Sequence, residues 1–261
     1  MDKIPVIGTA VVNSSYWVSR LIMSVDYPVE NFVIINNNGK GEIDYELDNL
    51  KNLNKKFIDN IKICHMPSNI GCSGAWNLII KCYMNSPYWI IVNDDVSFGP
   101  NLLKEFSDTE YVNPEVGLIH AKSGDFDLGG WDLFLIKDFI INDFGLFDEN
   151  LYPAYCEDAD YLMRFMYRPI NKITSLNGFY YHGHSLEYYD ENGGAQTTKC
   201  DPDLDKIVKM AHESNCKYLD KKWGEGWRQC CPYMNPFNKE DIPISNTTYD
   251  LNYVRSKHLG F

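Results

Sequence analysis

The sequence predicts an α/β fold: a mainly parallel sheet flanked by helices, with a C-terminal extension. Strand-like and helix-like segments alternate over the first hundred residues. Among the strand segments, "IPVIGTAVV" is a continuous apolar run, the mark of a central strand covered on both faces. A polar cluster follows each of the strand segments (Asn13, Asn36 to Asn38, Asn69, Asn93 to Asp95). In open parallel sheets, ligands bind beyond the carboxyl ends of the strands, so these clusters should converge on one sheet edge.

Each element has its own signal. "IPVIGTAVV" reads as a central strand, and Asn13-Ser14-Ser15 supplies a helix cap before Trp17, Val18, Leu21, Ile22 and Val25 recur at helical spacing. "NFVIIN" is the second strand and ends in the turn signal "NNNG". Ile43, Leu47, Leu50, Leu53 and Phe57 predict a second helix, and "IKICHM" a third strand. After "PSNIGCSG" comes a helix with Trp76, Ile79, Ile80 and Tyr83, then the fourth strand "YWIIV". The order βαβαβαβ implies right-handed crossovers and helices on both faces. Further on, "EVGLIH", "WDLFLI" and "GFYYHGHS" read as strands and "EDADYLMRFMY" as a helix. From about residue 186 the chain is rich in Tyr, Trp, Gly and Cys and shows no clear periodicity.

Composition narrows the function classes. Thirty-six Asp and Glu against 24 Lys and Arg give a formal net charge of -12, which argues against nucleic acid as a partner. No run of about 18 apolar residues occurs, so no membrane span is expected. "MDKIPVIGTAVVN" lacks the pattern of a secretory signal. The eight cysteines match neither a zinc spacing nor a compact secreted framework, so reduced thiols and a cytoplasmic setting are expected. The sequons at Asn13 and Asn246 then read as chance matches.

Within "WIIVNDDVSF", a buried strand ends on Asp94 and Asp95. An isolated Asp-Asp pair at a strand end more often serves a turn than chemistry. Its surroundings point elsewhere. "NDDV" resembles the DxD-type motif of GT-A fold glycosyltransferases of the family 2 type, and four further segments are similar to that family in the same order: "IINNNGKGE", "NIGCSGAWN", "FGLFDENLYPAYCEDADYLMR" and "YYHGHS". The resemblance covers residues 4 to about 186. It implies a GT-A type, Rossmann-like catalytic domain over 1–185, with a nucleotide-binding half (1–100) and an acceptor and catalytic half (101–185), and an extension over 186–261. "YLDKKWGEGWRQCCPYMNPFN" resembles a Lys-Trp-Gly plus Pro-Phe pattern in related transferases, including those of large DNA viruses, which would make the setting a host cytoplasm.

The chemistry agrees with the resemblance. A nucleoside diphosphate sugar cannot bring its pyrophosphate bare against a carboxylate cluster, whereas a divalent cation with oxygen ligands, Mn²⁺ or Mg²⁺, resolves the conflict. The resemblance makes Asp95 the metal ligand and places Asp94 near the ribose or as a water-mediated ligand. His182 or His184 of "HGHS" completes the coordination. Attack by an acceptor hydroxyl needs a carboxylate within hydrogen-bond reach. "CEDAD" offers Glu157, Asp158 and Asp160 in a first helical turn, where acidic residues also serve the helix dipole. By resemblance Asp158 is the base that gives inversion, Glu157 helps hold the acceptor and Asp160 is structural. The donor, a UDP-sugar, would meet Thr9, Ala10, Val11, Asn13, Asn37, Asn69 and Gly71, with Trp131 against donor sugar or acceptor. Asn37 stands where the family has an Asp that accepts from uracil; its amide oxygen can still accept. The acceptor would be a glycan or glycoprotein. A sugar-phosphate nucleotidyltransferase and a non-catalytic nucleotide-sugar binding module are the other readings. The first would want a glycine-rich basic loop after the first strand, where the chain has "TAVVNSSYW".

Overall fold

The computed structural model describes residues 3–123, 131–167, 172–183, 196–228 and 233–245. The chain runs β1 (Ile4–Val11), α1 (Ser15–Met23), β2 (Val29–Asn36), α2 (Asp44–Asp48), β3 (Ile58–His65), α3 (Gly71–Cys82), β4 (Tyr88–Val92), β5 (Val96–Phe98), α4 (Leu102–Val112), β6 (Val116–Ser123), β7 (Leu133–Lys137), α5 (Asp138–Phe144), α6 (Glu157–Tyr167), β8 (Lys172–His182), α7 (Gln196–Lys199) and α8 (Pro202–Trp223). One eight-stranded sheet has the order β3-β2-β1-β4-β7-β6-β8-β5. β1 to β4 are parallel to one another; β7 is antiparallel to both β4 and β6, β6 is parallel to β8, and β5 closes antiparallel to β8.

Alternation sorts the strand side chains onto the two faces. Phe32, Ile34, Ile90, Val92, Leu133 and Leu135 join Val18, Leu21 and Ile22 of α1 in one core. Their neighbours Val33, Ile35, Trp89, Ile91, Phe134 and Ile136 join Ala75, Trp76, Ile79 and Ile80 of α3 and Phe144, Tyr161 and Phe165 in the other. The second core depends on Gly8, where a Cβ would lie 2.5 Å from Ile79 Cγ2.

Two expectations change. The stretch expected as one helix over 43–57 is a short α2 followed by a 3-10 turn over Asn49–Asn52. Leu47, Leu50 and Leu53 are spaced by three, the 3-10 repeat, and Asn54 at φ 51 ends the turn. The tail read as aperiodic contains a 22-residue helix, α8, whose N-cap Asp201 accepts from Leu204 N ahead of Pro202. Leu219, Trp223 and Trp227 pack there with Leu151, Cys156 and Met163. Asp148, Asp160, Arg164 and Lys222 form a fully buried charge network under α6, with Lys222 Nζ 2.7 Å from Asp148 Oδ2 and 2.7 Å from Asp160 Oδ1. Asp160 therefore holds structure, as expected.

Candidate active site

A cavity of about 430 Å³ opens beyond the carboxyl ends of the parallel strands. Its floor is the turn from β4 into β5. Because Val96 pairs with His182 and Gly183 N donates to the Asp95 carbonyl (2.8 Å), that turn lies against the end of β8. His182 Nε2 is 3.2 Å from Asp95 Oδ1, and His182 Nδ1 is 3.4 Å from Asp132 Oδ2. Asp132 also accepts from Tyr180 Oη (3.1 Å) and Asn93 Nδ2 (3.2 Å).

The second wall is the loop into α6. Gly71, at φ +76, admits it: a Cβ there would lie 2.9 Å from Tyr152 Cδ2, and Cys72 N donates to the Pro153 carbonyl at 2.7 Å. Tyr155, Glu157 and Asp158 follow into the cavity. Asn215 of α8 donates to the carbonyls of Ala154 (3.0 Å) and Tyr155 (2.9 Å) and so supports the same loop from behind. The roof is Gln196–Thr197. Gln196 N donates to Asp95 Oδ2 (2.6 Å), Thr197 Oγ1 to Asp94 Oδ1 (3.0 Å), and Asn13 Nδ2 to the Thr197 carbonyl (2.8 Å).

The electrostatics are one-sided. Asp94, Asp95, Asp132, Glu157 and Asp158 line the cavity, and its described lining includes no Lys or Arg. Burial, then the Asp95 charge, push Asp94 up to about 8. Burial and the adjacent Asp158 push Glu157 up to about 8, and burial also raises Asp158. Burial disfavours the charge on His182, but the carboxylates of Asp132 and Asp95 outweigh it and push the imidazole up to about 10. Asp94 Oδ2 and Glu157 Oε2 are buried with no hydrogen-bond partner among the described residues. Carboxylates held neutral and an imidazole held charged describe a cluster short of positive charge. A divalent cation fits it: oxygen donors from Asp95 and the orphaned Asp94, with the His182 imidazole beside them, suit Mn²⁺ or Mg²⁺.

No family model and no curated protein matches the chain. Solved structures do. S. aureus TarS 1–349 in complex with UDP-GlcNAc is 15% identical with a TM-score of 0.55, covering 83% of this chain and 67% of that one. The mannosyltransferase PcManGT from Pyrobaculum calidifontis, in complex with GDP-Man and Mn²⁺, is 10% identical with a TM-score of 0.56, covering 87% and 77%. GalNAc-T7 with UDP, GalNAc and Mn²⁺ is 10% identical with a TM-score of 0.62, covering 98% and 54%. The chain spans 36% of the longer TarS chain. The fold is that of the GT-A glycosyltransferases.

On this GT-A sheet, Asp94, Asp95, His182, Glu157, Asp158, Ala10, Asn37, Asn69, Gly71 and Trp131 all line one cavity. Thr9 and Val11 do not: strand alternation sends Ala10 and Val12 to the cavity side, while Val11 joins the opposite core and Thr9 is fully buried. Asn13 meets the roof instead. Asn37 is tied to the facing loop, donating to the Gly71 carbonyl (3.2 Å) and accepting from Ile70 N (3.4 Å), and Asn69 Oδ1 accepts from Gly71 N (2.8 Å). Trp131 is rooted in the aromatic core against Phe134 (4.8 Å between ring centres) and still lines the cavity. His184 lies outside the described residues. Asp132 was missed. Strand ends give no signal for it, because Asp132 precedes an antiparallel strand, whose start lies on the same sheet edge as the end of β4.

Proposed function

We propose that the chain is a metal-dependent glycosyltransferase that moves a sugar from a UDP-sugar to a hydroxyl of a glycan or glycoprotein, with inversion at the anomeric carbon. The observation that carries this reading is the acidic cavity, with five carboxylates and no Lys or Arg in its described lining, at the ligand-binding edge of a GT-A sheet. A diphosphate has no partner there without a cation. Asp95, with Asp94 and His182, would hold that cation, and bound Mn²⁺ or Mg²⁺ would neutralise the diphosphate as it leaves. The solved relatives with UDP-GlcNAc, with GDP-Man and Mn²⁺, and with UDP, GalNAc and Mn²⁺ support a nucleotide-sugar donor.

The chain's own groups have the following roles. Ala10, Asn37, Asn69 and Gly71 receive the nucleoside, the Asn37 amide oxygen retaining a second lone pair for the base. Trp131 presents its ring to a sugar. Asp158 takes the proton of the attacking hydroxyl, and its raised pKa makes it a stronger base than an exposed Asp. Glu157 positions the acceptor. Asp132 orients His182 through its Nδ1 side. The domain over 1–185 carries this chemistry and 186–261 is an extension of the same unit. No helix among the described residues is long and apolar enough to cross a membrane; the cytoplasmic setting is part of the proposal.

Asp158→Asn is the test of the base. It should abolish transfer while UDP binding, measured by calorimetry, stays within about threefold of wild type, since the carboxylate acts only at the acceptor. Unchanged transfer would remove Asp158 from its role.

A further inference from the structure

A second cluster of chemistry-bearing side chains lies outside this cavity. Cys156 Sγ is 3.7 Å from Cys216 Sγ, Cys216 Sγ is 3.6 Å from His212 Nε2, and all three donor atoms lie within 4.8 Å of one another. His212 and Cys216 sit one turn apart on α8, and Cys156 comes from the loop before α6. Tetrahedral zinc, with Zn–S of about 2.3 Å and Zn–N of about 2.0–2.1 Å, sets neighbouring sulfurs about 3.7–3.8 Å apart and a sulfur and nitrogen about 3.5–3.6 Å apart. A disulfide would need the sulfurs at about 2.05 Å. Sulfurs in simple contact also lie near 3.7 Å. It is the convergence of three donors, each of a type zinc prefers, that carries the inference.

We propose that Cys156, His212 and Cys216 bind one thiophilic divalent cation, zinc in the cell, with a fourth position for water or a further ligand. Burial, then the Cys216 sulfur beside it, raises the Cys156 thiol, so the cation would have to displace its proton. Arg228 Nη2 donates to Cys216 Sγ (2.9 Å), and Leu151, Met163, Leu219, Trp223 and Trp227 form an apolar shell around the two sulfurs. Sequence spacing could not show this site, because 55 residues separate Cys156 from His212. The ion would tie Cys156 to α8. Tyr155 and Cys156 both have positive φ (71 and 77), a conformation that non-glycine residues adopt only when held, and the next two residues are Glu157 and Asp158. A metal bond from Cys156 to α8 would hold that turn.

The test is cobalt binding to the full-length, metal-stripped, reduced protein. Titration should give an intense near-ultraviolet thiolate-to-cobalt band that saturates at one equivalent, is abolished by zinc and is unmoved by excess Mn²⁺. Asp95→Asn should keep the band, which separates this site from the one proposed in the cavity; Cys156→Ser/Cys216→Ser should lose it. Peptide mapping after alkylation needs no variant: zinc should slow modification of Cys156 and Cys216 roughly tenfold or more, because the bound thiolate no longer acts as nucleophile. No band, a band unchanged in the double variant, or equal alkylation with and without zinc would overturn the site.

Discussion

Replacing Lys222 by methionine removes one of two cations from a buried set containing two carboxylates. Lys222 Nζ lies 2.7 Å from Asp148 and 2.7 Å from Asp160, with no exposure on any of the three side chains. Arg164 would remain on Asp160, with its other nitrogen donating to the carbonyls of Phe144 and Leu146, so Asp148 would keep only neutral partners such as Tyr218 Oη (2.8 Å). Methionine fills a similar volume, so the cost is that of one uncompensated buried charge, about 3–5 kcal/mol. With a urea m-value of about 3 kcal/mol/M, the unfolding midpoint should fall by about 1–2 M. Tryptophan fluorescence would follow it, since Trp223 sits on the network through Nε1 to Asp160 Oδ1 (2.8 Å). A loss below about 1 kcal/mol would refute the argument, because it would mean that water or relaxation compensates the charge.

The same network sets an acid limit. Burial works against the Asp160 carboxylate, but Arg164 and Lys222 outweigh it and hold it at about 2. A depressed folded-state pKa gives stability that is present above the unfolded value of about 3.9 and lost as pH falls toward 2, here about 2–3 kcal/mol, so the thermal unfolding midpoint should fall across that window and less so in Asp160→Asn. Gly71→Ala should cost about 1–3 kcal/mol, since alanine is strained at φ +76 and its Cβ would meet Tyr152; an unchanged Tm would show that the loop moves freely. Asp95→Asn should weaken Mn²⁺ binding at least about tenfold and cut transfer about a hundredfold or more, measured by calorimetry and UDP release; wild-type Mn²⁺ affinity would take Asp95 off the metal.

What the sequence made legible follows from how locally each feature is encoded. β1 to β4 and α3 were read from apolar runs and helical spacing because each buries a face of its own. α6 was read to its ends from "EDADYLMRFMY". α8 was missed although Asp201-Pro202 marks its start, because its buried positions Val208, Ala211, Asn215, Leu219 and Trp223 include a polar residue and alternate with many charged ones. The cavity residues were found where they follow a strand. Thr9 and Val11 fall on the wrong side of the two-residue alternation, and Asp132 reaches the site through an antiparallel partner that only the sheet order reveals. The Cys156, His212 and Cys216 cluster is tertiary throughout.

The central claim is that the acidic cavity works through a divalent cation on a nucleoside diphosphate sugar. Incubation of the protein with a panel of UDP-sugars and a soluble glycan acceptor, with Mn²⁺ and with Mn²⁺ plus excess chelator, tests it directly through UDP release. Release is expected with at least one donor, dependent on the metal and on Asp95 and Asp158. Turnover that persists in chelator, or neither turnover nor binding with any nucleotide sugar, would contradict it.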